Sequence, residues 1–312
     1  MKTRKLGNSE LTVSIVGLGC NNFGMLDVAA SRRVVDRAID QGITLFDTAD
    51  IYGNRGGSER QLGEILGPRR KDIVLATKFG MKMDDAGAKS GASRTYILQA
   101  VEDNLKRLKT DWIDLYQLHQ PDPNTPIEET LEALNLLVQQ GKVRAIGCSN
   151  MSAAQLNAAR ALSAGKGFAA FESAQDEYSL LKRDIEQGVL PAVEKYGMGL
   201  LPYFPLASGM LTGKYTRGAA APGNTRFAVM TGLANRYMTD ANWDKVETLS
   251  AFCKAHGHTL LELAFSWLVS HQSVTSVIAG ATRSEQIDQN VRAVGWDLSA
   301  DELAEIGRIT AG

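Results

Sequence analysis

Cysteine is scarce in this chain. Cys20, Cys148 and Cys253 are odd in number, far apart and at no metal-ligand spacing, which speaks against a disulfide framework or a zinc site and for reduced thiols in the cytoplasm. No charge sign dominates either: 34 Lys and Arg stand against 35 Asp and Glu, and the net charge of −1 gives no electrostatic basis for nucleic acid or an anionic membrane as partner. No apolar run approaches the roughly 18 residues of a membrane span. Lys2, Arg4 and Lys5 precede the apolar stretch ending at Cys20 in the charge order of a lipoprotein signal. Asn8-Ser9-Glu10 interrupts that order, however, and the stretch alternates like a strand. Pro-rich linkers and composition breaks are lacking too, so residues 1–312 read as a single domain. What is present, 44% hydrophobic and 22% charged residues, fits a globular protein.

Short β-rich runs alternate with helical patterns along the whole chain. Residues 4–13 predict a hairpin turning at Gly7-Asn8, and residues 14–17 the first strand of a sheet, followed by a helix over 29–41 that Gly42 ends. The second strand ends at Asp47; Ser58 is the expected N-cap of a helix over 58–66, which Gly67-Pro68 stops. Strands ending at Lys78, His119, Cys148, Gln175 and Tyr203 follow, separated by helices over 94–108, 127–140, 153–163 and 185–196. A Gly- and Arg-rich loop over 207–239, helices over 243–256 and 260–270, a last strand over 276–278 and helices over 284–294 and 300–309 complete the pattern. Eight β/α units in series predict an α/β fold: a (β/α)8 TIM barrel with an N-terminal β-hairpin and extra helices. In such barrels chemistry sits at the C-terminal ends of the strands.

Asp47, Tyr52, Lys78 and His119 all fall there. Each alone has an ordinary explanation: a buried salt bridge for Asp47 with Lys78, a packed aromatic for Tyr52, a core histidine for His119. Together, at the ends of the second, third and fourth strands, they form an acid–base set. A phenol holds its proton at neutral pH unless a cation lowers its pKa, and Lys78 is placed to supply one. The set points to carbonyl reduction.

The chain resembles the aldo-keto reductases. The resemblance rests on Gly17-Leu18-Gly19, Phe46-Asp47-Thr48-Ala49-Asp50-Ile51-Tyr52-Gly53, Leu75-Ala76-Thr77-Lys78 and Asp114-Leu115-Tyr116-Gln117-Leu118-His119. Gly147-Cys148-Ser149-Asn150, Tyr203-Phe204-Pro205-Leu206 and the Gly280 to Asn290 segment extend it over nearly the whole chain. It implies Tyr52 as general acid, Lys78 held by Asp47 as the cation beside it, and His119 as the donor that orients the carbonyl. It also implies a nicotinamide cofactor across the barrel mouth. Gly19, Cys20, Asn21 and Asp47 would border that cofactor, Ser149, Asn150 and Gln175 would bond its carboxamide, and Tyr203 would stack on its ring. Phe204, Pro205, Leu206, Ser208, Gly209 and Leu211 would carry the pyrophosphate, with Lys214 and Arg226 adding charge.

For the adenosine half, Ile278, Gly280, Ala281, Thr282 and Arg283 precede a helix whose Gln286 and Asn290 face the adenine. A guanidinium at a helix start favours the 2′-phosphate, so the expected cofactor is NADP(H).

Two departures from the family pattern bear on substrate. Cys20-Asn21 stand where many relatives have Thr and a bulky aromatic, and Gly280 replaces a Lys that some use for the 2′-phosphate, which shifts weight to Arg283. Phe23, Ile51 and Phe79 are the expected apolar wall, with residues 80–93 and 217–236 completing it, for a small aldehyde or ketone. No metal is expected, and the oligomeric state is not legible. Two rivals remain. Tyr178 and Lys182 match the Tyr-x-x-x-Lys pair of short-chain dehydrogenases, but Asn22 spoils their glycine fingerprint. A regulatory cofactor-binding subunit, similar to potassium-channel β subunits, would keep the cofactor site without turnover.

Overall fold

A computed structural model describes residues 1–223 and 225–311. Strands β1 (Thr3–Lys5) and β2 (Thr12–Ser14) pair antiparallel, Thr3 opposite Ser14 and Lys5 opposite Thr12. The hairpin forms where expected, but its connection is longer than a two-residue turn: the amide of Leu6 donates to the carbonyl of Leu11.

Eight parallel strands follow: β3 (Val16–Gly19), β4 (Leu45–Asp47), β5 (Val74–Phe79), β6 (Ile113–Leu118), β7 (Val143–Ser149), β8 (Phe171–Gln175), β9 (Gly199–Leu200) and β10 (Val277–Gly280). They bond in chain order from β3 to β9, with β10 beside β3. The two free edges then meet. Leu200 N donates to Ser273 O, Thr275 N to Leu200 O and Ile278 N to Pro202 O, so the sheet curls into a (β/α)8 barrel.

The helices are α1 (Val28–Asp40), α2 (Tyr52–Leu66), α3 (Arg94–Leu108), α4 (Ile127–Gln139), α5 (Ala153–Lys166) and α6 (Val189–Tyr196). Beyond them lie α7 (Arg226–Val229), α8 (Thr231–Tyr237), α9 (Asp240–Ala255), α10 (Leu260–Ser270), α11 (Ser284–Arg292) and α12 (Ala300–Thr310). Side-chain caps fix several starts. Asp27 accepts from Ala30 N at 2.7 Å, and Ser152 with Gln155 and Ser299 with Glu302 form reciprocal boxes.

The structure departs from the sequence expectations in five places. Ser14 belongs to the hairpin, so the first barrel strand starts at Val16 and runs to Gly19. Ser58 does not cap a helix: Gly53, Asn54, Arg55 and Gly56 are left-handed, and the buried Ser58 hydroxyl donates to the carbonyl of Cys20. The helix expected over 185–196 is broken at Gly188 into a 3₁₀ turn (Asp184–Gln187) and α6. Pro202 has no amide to donate, and β9 stops at Leu200. The expected loop over 207–239 contains a 3₁₀ turn (Ala207–Thr212) and the short helices α7 and α8.

Alternation along the strands sorts the interior into layers. Leu45, Ala76, Leu115, Ala145, Leu201 and Ile278 form one inner cluster, and Leu6, Leu11 and Val13 of the hairpin segment pack into it and plug the barrel's lower end. Two residues further along β4, β5, β6 and β8 the inward positions turn polar: Asp47, Lys78, Gln117 and Gln175, every one buried. The outward faces of the strands meet the helices in the larger apolar core.

Candidate active site

The polar layer at the strand ends is tightly bonded. Lys78 Nζ donates to Asp47 Oδ2 at 2.7 Å, to Asp47 Oδ1 at 2.9 Å and to the carbonyl of Thr48 at 2.9 Å. Gln117 Nε2 and Gln175 Nε2 donate to Asp47 Oδ1 at 3.2 and 3.0 Å. A wholly buried ammonium would lose its proton to desolvation, but here the carboxylate and the phenol offset that cost, and the net effect raises its pKa.

Tyr52 opens α2, and its ring lies 5.1 Å from Lys78 Nζ. The ring meets His119 edge-on, centroids 5.7 Å apart at 89°. Burial pushes the phenol pKa up; Lys78 pulls it down, and the charge of Asp47 again raises it, so the net direction is upward. The expected net depression is therefore not found, because burial, with the charge of Asp47 added, outweighs the pull of Lys78. His119 is held neutral: burial, and then the Lys78 charge, lower its pKa to about 3. Its Nδ1 has no hydrogen-bond partner among the described residues.

Above this layer opens a cavity of about 750 Å³. Asp47, Tyr52 and His119 line one part of it, with Gly19 and Asn21. Ser149, Asn150, Gln175 and Tyr203 line the next, followed by Phe204, Pro205, Leu206, Ser208, Gly209, Lys214 and Arg226; Ile278, Gly280, Thr282 and Gln286 complete it. The middle group is prearranged by its own bonds. Ser149 Oγ donates to the Gln175 carbonyl at 2.7 Å, Tyr203 Oη to Asn150 Oδ1 at 2.8 Å, and Asn150 Nδ2 to the His119 carbonyl at 3.1 Å.

Ser208 is left-handed, with a buried hydroxyl that has no partner among the described residues. Gly209 follows at φ +106°, where a Cβ would lie 3.0 Å from Lys214 Nζ. An orphaned hydroxyl and a backbone open to close approach suit a polar, phosphate-bearing ligand. Gln286 Oε1 accepts from the amides of Thr282 and Arg283 and pins the turn before α11.

Several expected residues do not reach the cavity. Cys20, Leu211, Ala281 and Asn290 are buried and do not line it, and Arg283, at the start of α11, is exposed outside its lining. Phe23 and Phe79 are wholly buried in the apolar core, Phe79 against Tyr116 with centroids 4.8 Å apart, and Ile51 is half-buried but off the cavity wall. Met25, Met230 and Leu233 add apolar lining in their place, and no residue of 80–93 takes part. Met230 and Leu233 belong to the 217–236 segment expected to complete the wall, whereas sequence reasoning missed Met25 and Gln117. The rival pair is spoken for elsewhere: Tyr178 Oη donates to Glu186 at 2.7 Å and contacts His271, while Lys182 pairs with Asp184.

Comparison with known proteins fits this geometry. The profile of the aldo/keto reductase family matches residues 16–311. A probable voltage-gated potassium channel subunit beta of Arabidopsis thaliana is 38% identical over 302 residues, covering 94% of this chain and 91% of that one. L-glyceraldehyde 3-phosphate reductase of Escherichia coli (strain K12) is 34% identical, with 98% and 91% covered. Aldo-keto reductase YhdN of Bacillus subtilis is 32% identical, with 99% and 93% covered.

Proposed function

The chain belongs to the aldo/keto reductase family of oxidoreductases, and we propose that it reduces aldehydes and small ketones to alcohols with NADP(H), using Tyr52 as the general acid. The observation that carries this reading is the buried cluster at the strand ends: an ammonium 2.7 Å from a carboxylate, 5.1 Å from a tyrosine ring that in turn abuts a neutral histidine, with the carboxylate, the tyrosine and the histidine lining one cavity.

Each residue has a role set by its surroundings. When bound, the reduced nicotinamide supplies the hydride to the carbonyl carbon. His119, uncharged above its pKa of about 3, keeps its imidazole available to hydrogen-bond and orient the carbonyl oxygen. As negative charge gathers on that oxygen, the Tyr52 hydroxyl gives up its proton to it. An upward-shifted phenol remains protonated until an alkoxide, a far stronger base, is at hand, so the acid is not lost beforehand. Lys78 then faces the phenolate that remains and stabilises it, and Asp47 holds Lys78 in place. In the oxidative direction the same phenolate takes the proton back.

Ser149, Asn150 and Gln175 would hold the carboxamide and Tyr203 would stack on the nicotinamide. Leu206, Ser208 and Gly209, with Lys214 and Arg226, would hold the phosphates, while Gln286 would face the adenine and Arg283 would select the 2′-phosphate. The exposed Arg283 guanidinium beside the cavity's end is free to fold over a ligand there. The substrate would rest against Met25, Met230 and Leu233.

A second reading, a regulatory subunit that binds cofactor, is favoured by the 38% and 37% identical relatives named as probable potassium channel β subunits of Arabidopsis thaliana and rice. One experiment separates the two: a panel of aldehydes and ketones assayed with NADPH and with NADH. Turnover with NADPH supports the reductase. Tight NADPH binding with no turnover on any carbonyl supports the subunit, and the absence of binding contradicts both.

A further inference from the structure

Between Asp47 and Tyr52 lies a second carboxyl, Asp50, 1% exposed, with neither side-chain oxygen bonded to any described residue. Three other buried carboxyls are all paired. Asp47 takes Lys78, Gln117 and Gln175; Glu59 takes Thr77, Asn104 and Arg107; Asp114 takes Arg70 and Arg144. Asp50 is fixed by its backbone instead, its amide donating to the carbonyl of Lys78 at 3.2 Å. A carboxylate in that position has lost its water and gained no donor at full hydrogen-bond geometry, so the uncharged acid is favoured. The charges and titratable groups that act on it come from every element around it: Glu59 on α2, Arg107 and Tyr96 on α3, Lys78 on β5, Tyr116 on β6 and Tyr52 itself. Burial and then the Glu59 charge push the Asp50 pKa well upward, outweighing Arg107, the backbone amide of Ile51 and Lys78.

We propose that Asp50 is a positioning residue that acts on the reaction through Tyr52: uncharged, it adds nothing to the opposing fields of Lys78 and Asp47 at the phenol, and ionised, it makes the phenol hold its proton more tightly. In the oxidative direction, which needs the Tyr52 phenolate, an ionised Asp50 opposes its formation; in the reductive direction an uncharged Asp50 leaves the Tyr52 proton transfer unhindered. This inference rests on Tyr52 being the proton-transfer group.

The test is the pH profile of kcat/KM for alcohol oxidation with NADP in the wild type and in Asp50→Asn, which keeps shape and removes the charge. The alkaline rise of the variant is expected about half a pH unit lower, with reduction at neutral pH within about twofold of wild type. An unmoved rise, or one displaced to higher pH, overturns the proposal. Wild-type turnover lost in Tyr52→Phe establishes the underlying reading first, so its failure and that of the Asp50 proposal are told apart.

A second measurement does not depend on the variant's activity. An infrared carboxylic-acid band in the wild type at neutral pH that is lost in Asp50→Asn supports a neutral Asp50. If the variant does not fold, the band is sought in the wild type alone, and a wild type with no buried carboxylic-acid band overturns the proposal.

Discussion

At the scale of single residues, the site works by cancelling charges. Lys78 is buried because Asp47 accompanies it, and the same pairing limits what Lys78 does to the Tyr52 phenol, whose pKa burial drives up. His119 shows the opposite titration. Its native pKa of about 3 lies below the 6.5 of an unstructured imidazole, so between these values the unfolded chain binds a proton that the native protein refuses. Stability is therefore lost as pH falls from 6.5 toward 3. His119→Gln is expected to flatten that acid limb in a series of thermal melts, and an unchanged limb would refute the buried neutral imidazole. Arg283→Ala is expected to raise the Kd for NADPH at least tenfold while leaving that for NADH within about twofold. Equal effects on both would remove the 2′-phosphate role. Asp47, Tyr52, Lys78 and His119 were legible because each interrupts or closes an apolar run. Gln117 was equally available, since it lies two residues from both Leu115 and His119 on one inward row. Asp50 was not, because its isolation is a property of what surrounds it in space.

At the scale of elements, the helices were legible wherever an apolar stripe met a cap, as in α1, α3 and α5. They were not where packing alone decides. In α7 and α8, Phe227 and Tyr237 are the buried anchors, joined with Tyr215 in a ladder of stacked rings and tied to the barrel by Glu177, which pairs with Arg236 and accepts from the Tyr237 hydroxyl. Such short helices carry no repeat long enough to read. Helices α2 and α3 meet through a glycine: a Cβ on Gly63 would lie 2.4 Å from the Arg107 carbonyl. Gly63→Ala is expected to lower stability by about 1–3 kcal/mol in urea unfolding, since backbone on α3 must move to admit the methyl group. A neutral or stabilising effect, as for a glycine in open helix, would contradict the close approach.

At the scale of the whole molecule, the barrel is closed by main-chain bonds from Leu200 and Pro202 to residues 273–278 and sealed below by the hairpin. Eight β/α alternations made the fold legible, whereas the exact strand starts were not, because Ser14 and Val16 are separated by one residue and belong to different sheets. Leu6 is wholly buried against the inner row. Leu6→Ala is expected to cost about 2–5 kcal/mol, read as a lower urea midpoint with an unchanged slope if residues 1–312 unfold as one unit. Two resolved transitions would show instead that the hairpin or the last β/α units form a separate domain.

The most direct test of the proton-transfer account is Tyr52→Phe, which deletes one oxygen and leaves the ring against His119. Carbonyl reduction with NADPH is expected to fall by about 10²–10⁴-fold, with NADPH affinity within about twofold of wild type. Turnover that survives the substitution would contradict the account.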